Sequence, residues 1–193
     1  MALPQRQPYV SPDEFWKIQR NSELTLEYID GEIIAMAGGT KAHGQIVQAI
    51  SMLVGVALVN KPCEASSTIS VKAPVSFLVP DLVVYCNGGE FTEDEELLLN
   101  PLVVFEVLSS STEAKDRGTK WIKYQHINSL RHYVMISQND PVIEIYTRPD
   151  EGRWQYEAVS GLDSSVHLSH LDLTLALADI YKRVEFAESR TEA

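Results

Sequence analysis

The sequence predicts a mixed α/β (α+β) chain in which sheet strands alternate with two main helices. Three observations predict it. Short β-branched apolar runs at residues 81–85 and 102–107 have the length of buried strands. Asp30-Gly31 sits between two strand-like segments, a strong hairpin signal. Ile46, Ile50, Leu53, Val54 and Leu58 recur at the spacing of one helix face.

The elements follow in chain order. Ser11 can cap a helix that has Pro12 at its first position and Glu14 closing a capping box, and the helix runs to about Arg20. Residues 24–29 and 32–36 are the hairpin strands, with Glu27 in the first. Gly38-Gly39-Thr40 forms a loop before the long helix, which starts at Lys41 or His43 and ends near Val59, with Gly55 a weak point. Residues 67–71 and 75–79 read as strands around Lys72-Ala73-Pro74, and Pro80 opens the strand at Asp81. An acidic loop over 87–100 holds Glu90, Glu93, Asp94, Glu95 and Glu96. Pro101 and a serine cluster then bound a strand in which Glu106 is the one carboxylate among apolar neighbours. A helix follows over 112–127, capped by Ser111 or Thr112 and weakened at Gly118. Residues 132–137 and 142–147 pair through Gln138-Asn139-Asp140-Pro141, residues 153–159 add a strand, and residues 175–185 close the chain as a short helix. No repeat or linker interrupts this order, so one domain is expected over 1–193, with its core at about 10–185.

A chain of 193 residues can bury a sizeable core. No segment approaches the apolar length of a membrane span, and the N-terminus lacks the apolar centre of a signal peptide. Cys63 and Cys86 have no C-x-x-C spacing and fit reduced thiols in a cytoplasmic protein better than a disulfide framework or a zinc site. The net charge of −11 argues against bulk affinity for nucleic acid, because phosphate neutralisation dominates such binding. The distribution softens this: Lys115, Arg117, Lys120, Lys123 and Arg131 face only one acid, Asp116, in their segment.

Three carboxylates stand within or at the start of apolar strands: Glu27, Asp81 and Glu106. Such a set can hold a hard divalent cation, Mg²⁺ or Mn²⁺, through oxygen ligands. The alternative is that each acid marks a strand end and reaches solvent. Glu106 fits that alternative least, since its neighbours on both sides are apolar. Asp116, Lys120 and Tyr124 fall at i, i+4 and i+8, on one helix face. They are either a surface ion pair with a packed tyrosine or a cation held over the carboxylates. His43, after a Gly-rich loop, is either a general base or ligand or a residue of the helix start. The loop at 38–40 is not followed by the Gly-Lys-Ser/Thr of a phosphate-binding loop, and no G-x-S-x-G elbow occurs.

Glu27 followed by Y-I-D-G-E at 28–32, K-A-H at 41–43, P-D-L-V-V at 80–84, F-E-V-L-S-S-S-T at 105–112, D-x-x-x-K-x-x-x-Y at 116–124 and H-Y-V-M-I-S at 132–137 occur in this order. The set resembles the Uma-two family, which is classed with the PD-(D/E)XK nuclease fold. The resemblance covers about residues 10–185. It implies a restriction-endonuclease-like core, a mixed β-sheet flanked by helices, and a metal-dependent endonuclease acting on DNA. It maps Asp81 and Glu106 onto the motif acids, Glu27 onto the upstream glutamate and Lys120 onto the family's lysine, with Asp116, Tyr124 and His43 in support. All three mapped carboxylates would be metal ligands. In the broader nuclease pattern a lysine stands two residues after the strand acid, where this chain has Leu108. Lys120 on the following helix would replace it, with Lys123 in reserve. The alternatives are a catalytically degenerate binding or regulatory module and a hydrolase of another phosphate ester. A homodimer is expected, because a duplex offers two related strands.

Overall fold

The computed structural model describes residues 9–36, 38–94, 96–110 and 112–186; the proposed cap Ser111 and Glu95 of the acidic loop lie outside them. Helix α1, Pro12–Arg20, begins at the expected capping box: Ser11 accepts from the Glu14 N–H, and the Glu14 carboxylate accepts from the Ser11 N–H. Strands β1, Leu26–Ile29, and β2, Glu32–Ala35, close over Asp30 and Gly31, both at positive φ as a two-residue turn requires. Helix α2, Lys41–Leu58, is capped by the Thr40 hydroxyl, which accepts from the His43 N–H at 3.1 Å.

Strands β3, Cys63–Ser66, β4, Ser70–Ala73, β5, Ser76–Leu78, β6, Leu82–Cys86, and β7, Leu97–Leu98, lead to the buried strand β8, Val103–Leu108. The next helical segment runs as α3, Glu113–Lys115, a π-helical turn, Asp116–Lys120, and α4, Trp121–Tyr124. Strands β9, His132–Ser137, β10, Val142–Thr147, β11, Gln155–Ser160, β12, Ser165–Leu168, and β13, Leu173–Ala176, precede the short helix α5, Leu177–Ile180.

Three sheets result. The six-stranded sheet has the order β11-β10-β9-β8-β6-β3, and only the β8–β9 pair is parallel in it. That pair needs a crossover, which α3, the π turn and α4 supply. The five-stranded sheet has the order β2-β1-β5-β4-β7, and β12 pairs with β13. Alternation along β8 divides its side chains between two layers. Val103, Phe105 and Val107 pack with Ile46, Ile50 and Val54 of α2. Val104 and Leu108 pack with Tyr124, Tyr133 and Met135 on the other face. Glu106 shares that second face and is buried there.

Several expectations are corrected. Residues 175–185 do not form one helix: β13 precedes α5, and Leu173 and Leu175 are buried while Thr174 is exposed, the alternation of a strand. The turn expected at Lys72-Ala73-Pro74 lies at Pro74-Val75. The expected reduced thiols form a Cys63–Cys86 disulfide. Antiparallel pairing of β3 with β6 sets these two residues directly opposite one another, a proximity that their spacing of 23 residues conceals. The cysteines therefore no longer argue for a reducing compartment.

His132, at the start of β9, is wholly buried, with Nδ1 3.1 Å from Thr147 Oγ1 and Nε2 3.1 Å from His170 Nδ1. Burial, reinforced by His170 and His167, pushes its pKa down to about 4. An unfolded histidine takes up its proton near 6.5, so between those values the unfolded chain binds more protons. Stability is therefore expected to fall by about 2–3 kcal/mol as pH drops from 6.5 to 4. Urea unfolding across this range checks it, and the fall should be smaller by that amount in His132→Gln.

Candidate active site

The second face of β8 leads into a cleft of about 270 Å³, lined by Glu27, His43, Asp81, Glu106, Asp116 and Lys120 among others. At its floor the Lys120 ammonium lies 2.8 Å from Glu27 Oε1, 3.0 Å from Glu106 Oε1 and 3.3 Å from Asp116 Oδ1. All four side chains are at most 3% exposed. An ion pair this deep is held only when its remaining valences are met. Tyr124 donates to Glu106 Oε1 at 3.1 Å, and the Val79 N–H donates to Glu27 Oε1 at 3.0 Å. Tyr133 donates to the Asp116 carbonyl at 3.0 Å, anchoring the π turn from which Asp116 and Lys120 both turn inward.

Asp81 reaches the cleft from the start of β6. The register pairs Leu82 with Phe105, so Asp81 falls opposite Glu106. Its Oδ2 accepts from the Val107 N–H at 2.6 Å, and Oδ1 lies 3.1 Å from His43 Nε2. Both side chains are partly open to solvent.

The charges respond to this crowding. Burial pushes the Glu106 carboxyl well up; Asp116, Asp81 and Glu27 push the same way, and Lys120 opposes them. Burial also raises Asp116, again against Lys120. The Lys120 ammonium is held charged: Glu106, Glu27 and Asp116 outweigh the cost of its burial. The hydrogen bond to Asp81 raises His43 despite partial burial.

The sequence therefore selects a set that the fold brings together: Glu27, His43, Asp81, Glu106, Asp116, Lys120 and Tyr124. Lys123 is not part of it; its ammonium pairs with Asp30 in the β1–β2 turn. Leu108 is buried core, as a strand residue without a charge to place. The segment that reads as basic is largely neutralised. Arg117 pairs with Glu113 and Glu144, Lys120 with three acids, Lys123 with Asp30, and Arg131 lies 3.8 Å from Asp150. Among the described residues only Lys115 of these five is in no ion pair, and it lines the cleft. Sequence reasoning missed Thr40 and Gln138, whose side chains meet at 2.6 Å on the cleft wall. They are 98 residues apart and carry no motif.

Among the described residues, no three His, Cys, Asp or Glu side chains are arranged to hold a metal ion. Glu27 commits Oε1 to Lys120 and to Val79. Glu106 likewise gives Oε1 to Lys120 and Tyr124, and Asp81, opposite it, holds the Val107 N–H and His43 at the open side of the cleft. The Asp81–Glu106 pair still fits Mg²⁺, which is typically bound by one or two carboxylates, with water and substrate phosphate completing its shell. The side-chain set agrees: four carboxylates line the cleft with two ammonium groups, Lys115 and Lys120, and one imidazole.

Residues 12–178 match the Uma2 family, described as "Putative restriction endonuclease". Uncharacterized protein slr1290 of Synechocystis sp. (strain ATCC 27184 / PCC 6803 / Kazusa) is 32% identical over 185 residues, covering 93% of this chain and 95% of the relative. Uncharacterized protein sll1609 of the same organism is 25% identical over 162 residues, covering 81% of this chain and 92% of that one. A crystal structure from Anabaena variabilis ATCC 29413, described as "a putative nuclease belonging to DUF820", superposes with a TM-score of 0.74. It is 20% identical and covers 88% of this chain and 96% of its own, which establishes the shared restriction-endonuclease-like fold. With the family profile spanning most of its length, the chain belongs to the Uma2 family.

Proposed function

We propose that the cleft hydrolyses DNA phosphodiester bonds as a Mg²⁺- or Mn²⁺-dependent endonuclease. The observation that carries this is the Asp81–Glu106 pair, facing across β6 and β8 where buried negative charge exceeds the positive charge beside it. Asp81 and Glu106 would hold the cation, with Glu27 behind them. When bound, the cation supplies charge stabilisation to the phosphoryl group and a more acidic water.

The chain's own residues do the rest. Lys120 holds Glu27, Glu106 and Asp116 in place, so no carboxylate side chain has to move as charge develops on the phosphate. Tyr124 fixes the Glu106 rotamer. Lys115, on the cleft wall, is placed to meet a backbone phosphate. His43, which takes up a proton more readily than a free histidine, stands at the solvent side of Asp81. There it can return a proton to the leaving sugar oxygen. In the net step the water oxygen bonds to phosphorus, one phosphorus–oxygen bond breaks, and the leaving oxygen gains a proton.

Calorimetry with Mn²⁺ tests the ligand pair. Binding is expected in the wild type and at least ~10-fold weaker in Glu106→Gln, whose amide oxygen can still accept from Tyr124 and Lys120. No Mn²⁺ affinity in the folded wild type would sink the metal reading. It would favour a nuclease-fold binding or regulatory module, to which the buried Leu108 and the paired basic residues already lend weight.

A further inference from the structure

Helix α2 carries no Asp, Glu, Lys or Arg between Ala42 and Leu58, in a chain that is 22% charged. One side of it is accounted for: Ile46, Ile50, Val54 and Leu58 are buried against the six-stranded sheet. The opposite side bears a second apolar stripe, Ala49, Met52, Val56 and Val59, stepping by three, four and three residues. Met52 is 63% exposed, Val56 70% and Val59 75%. This is the spacing of a helix-pairing seam, and a helix apolar on both sides is normally covered on both.

The stripe is not uniform along its length. At its N-terminal half a groove of about 380 Å³ is walled by Gln48, Ala49 and Met52 of α2 on one side and, on the other, by Asp179 and Ile180 of α5 with Lys182 and Arg183 just beyond it. At its C-terminal half Val56 and Val59 are the most exposed residues of the stripe. One copy therefore offers a groove and a ridge on the same helix face. A two-fold axis crossing the helix between Met52 and Val56 lays the valine ridge of each copy into the groove of the other, a self-complementary contact.

Other occupants fit less well. The stripe itself has no basic residue, and Lys182 and Arg183 at the groove wall stand with Asp179 rather than on the exposed ridge. Among the described residues no helix is long and apolar enough to cross a membrane, and α2 lacks the Lys/Arg-rich polar face of a helix that lies on one. A second copy suits a helix face with no Asp, Glu, Lys or Arg of its own, because most of the net charge of −11 then stays outside the helix–helix contact. The exposed stripe supplies roughly half of the ~800 Å² per copy that a standard interface buries, and the groove wall on α5 extends it.

We propose that this face of α2 is a homodimer interface in which two copies cross antiparallel, the ridge of each seated in the groove of the other. His43 lies near the N-terminal end of α2, so the two clefts lie at opposite ends of the helix pair.

Sedimentation equilibrium tests it on the full chain. The wild type is expected at twice the 21.6 kDa chain mass at about 10 µM. Val56→Glu is expected to raise the dimer dissociation constant on the order of 100-fold. It should keep the wild-type circular dichroism, since Val56 touches no core. Met52→Lys should dissociate the dimer in the same way. The double variant Met52→Lys/Val56→Glu should recover it, because antiparallel crossing brings the new lysine of one copy to the new glutamate of the other. A monomeric wild type at 100 µM, or a dimer that Val56→Glu leaves intact, overturns the proposal. Failure of the double variant to recover overturns the antiparallel arrangement.

Discussion

Asp81→Asn is expected to lower metal-dependent cleavage of DNA by about 10³-fold while leaving the fold intact. The amide oxygen of asparagine can still accept from the Val107 N–H, the bond that ties the start of β6 to β8. What is lost is the charge that faces Glu106 and holds His43. Cleavage of single- and double-stranded DNA with Mg²⁺ and with Mn²⁺, together with a melting temperature, measures both halves of the expectation. Retained cleavage in the folded variant would remove Asp81 from the chemistry, and Glu106 with it as a facing pair. A variant that is both inactive and unfolded would instead show that the Val107 hydrogen bond depends on the carboxylate charge.

Lys120→Met is expected to give the largest loss of stability of any single change at the site, about 3–5 kcal/mol near neutral pH. The methionine fills the volume, but Glu27, Glu106 and Asp116 then lose their shared counter-charge at positions that are at most 3% exposed. Urea denaturation reads the effect directly. The deficit should narrow as pH falls. Burial already raises the folded-state pKa values of Glu106 and Asp116, and removing Lys120 takes away the charge that opposes this. Their contribution is then fully present below the unfolded pKa and lost as pH rises through the folded value. Adding Glu27→Gln to Lys120→Met should recover part of the loss, a non-additivity expected of residues in direct contact. A surface-like effect of under 1 kcal/mol would mean that the ammonium is not the centre of the cluster.

Much of the fold was legible because the decisive signals are local. The Ser11-Glu14 box, the Asp30-Gly31 turn and the β8 run each declare themselves within a few residues. Strands β3, β7 and β12 did not, because each is very short or polar: Cys63–Ser66 offers no alternation, and Leu97–Leu98 is only two residues long. The Leu173–Ala176 segment was legible in principle, since leucines at 171, 173 and 175 recur with period two, but the following helix masked it. At the site, the acids stood out because carboxylates are rare inside apolar strands. That Lys120 would settle among three of them was only half visible. The i, i+4, i+8 face fixes the direction of Asp116, Lys120 and Tyr124, but the docking of β1 beside them depends on pairing across the chain. The same limit hid the partners of Arg117 and Lys123, which come from 27 and 93 residues away, and made the segment look more basic than it is.

The Lys120 cluster also joins parts of the fold that lie far apart in the chain. Glu27 belongs to the five-stranded sheet, Glu106 to the six-stranded sheet, and Asp116 and Lys120 to the crossover between β8 and β9. Glu27 and Lys120 meet across 93 residues of chain, a closure whose loop entropy has to be offset by the contacts between the two sheets. Until the two sheets dock, the four charges stay hydrated and apart, and the walls of the cleft do not yet exist. A partly folded chain therefore lacks both the cluster and the cleft, which no single element supplies.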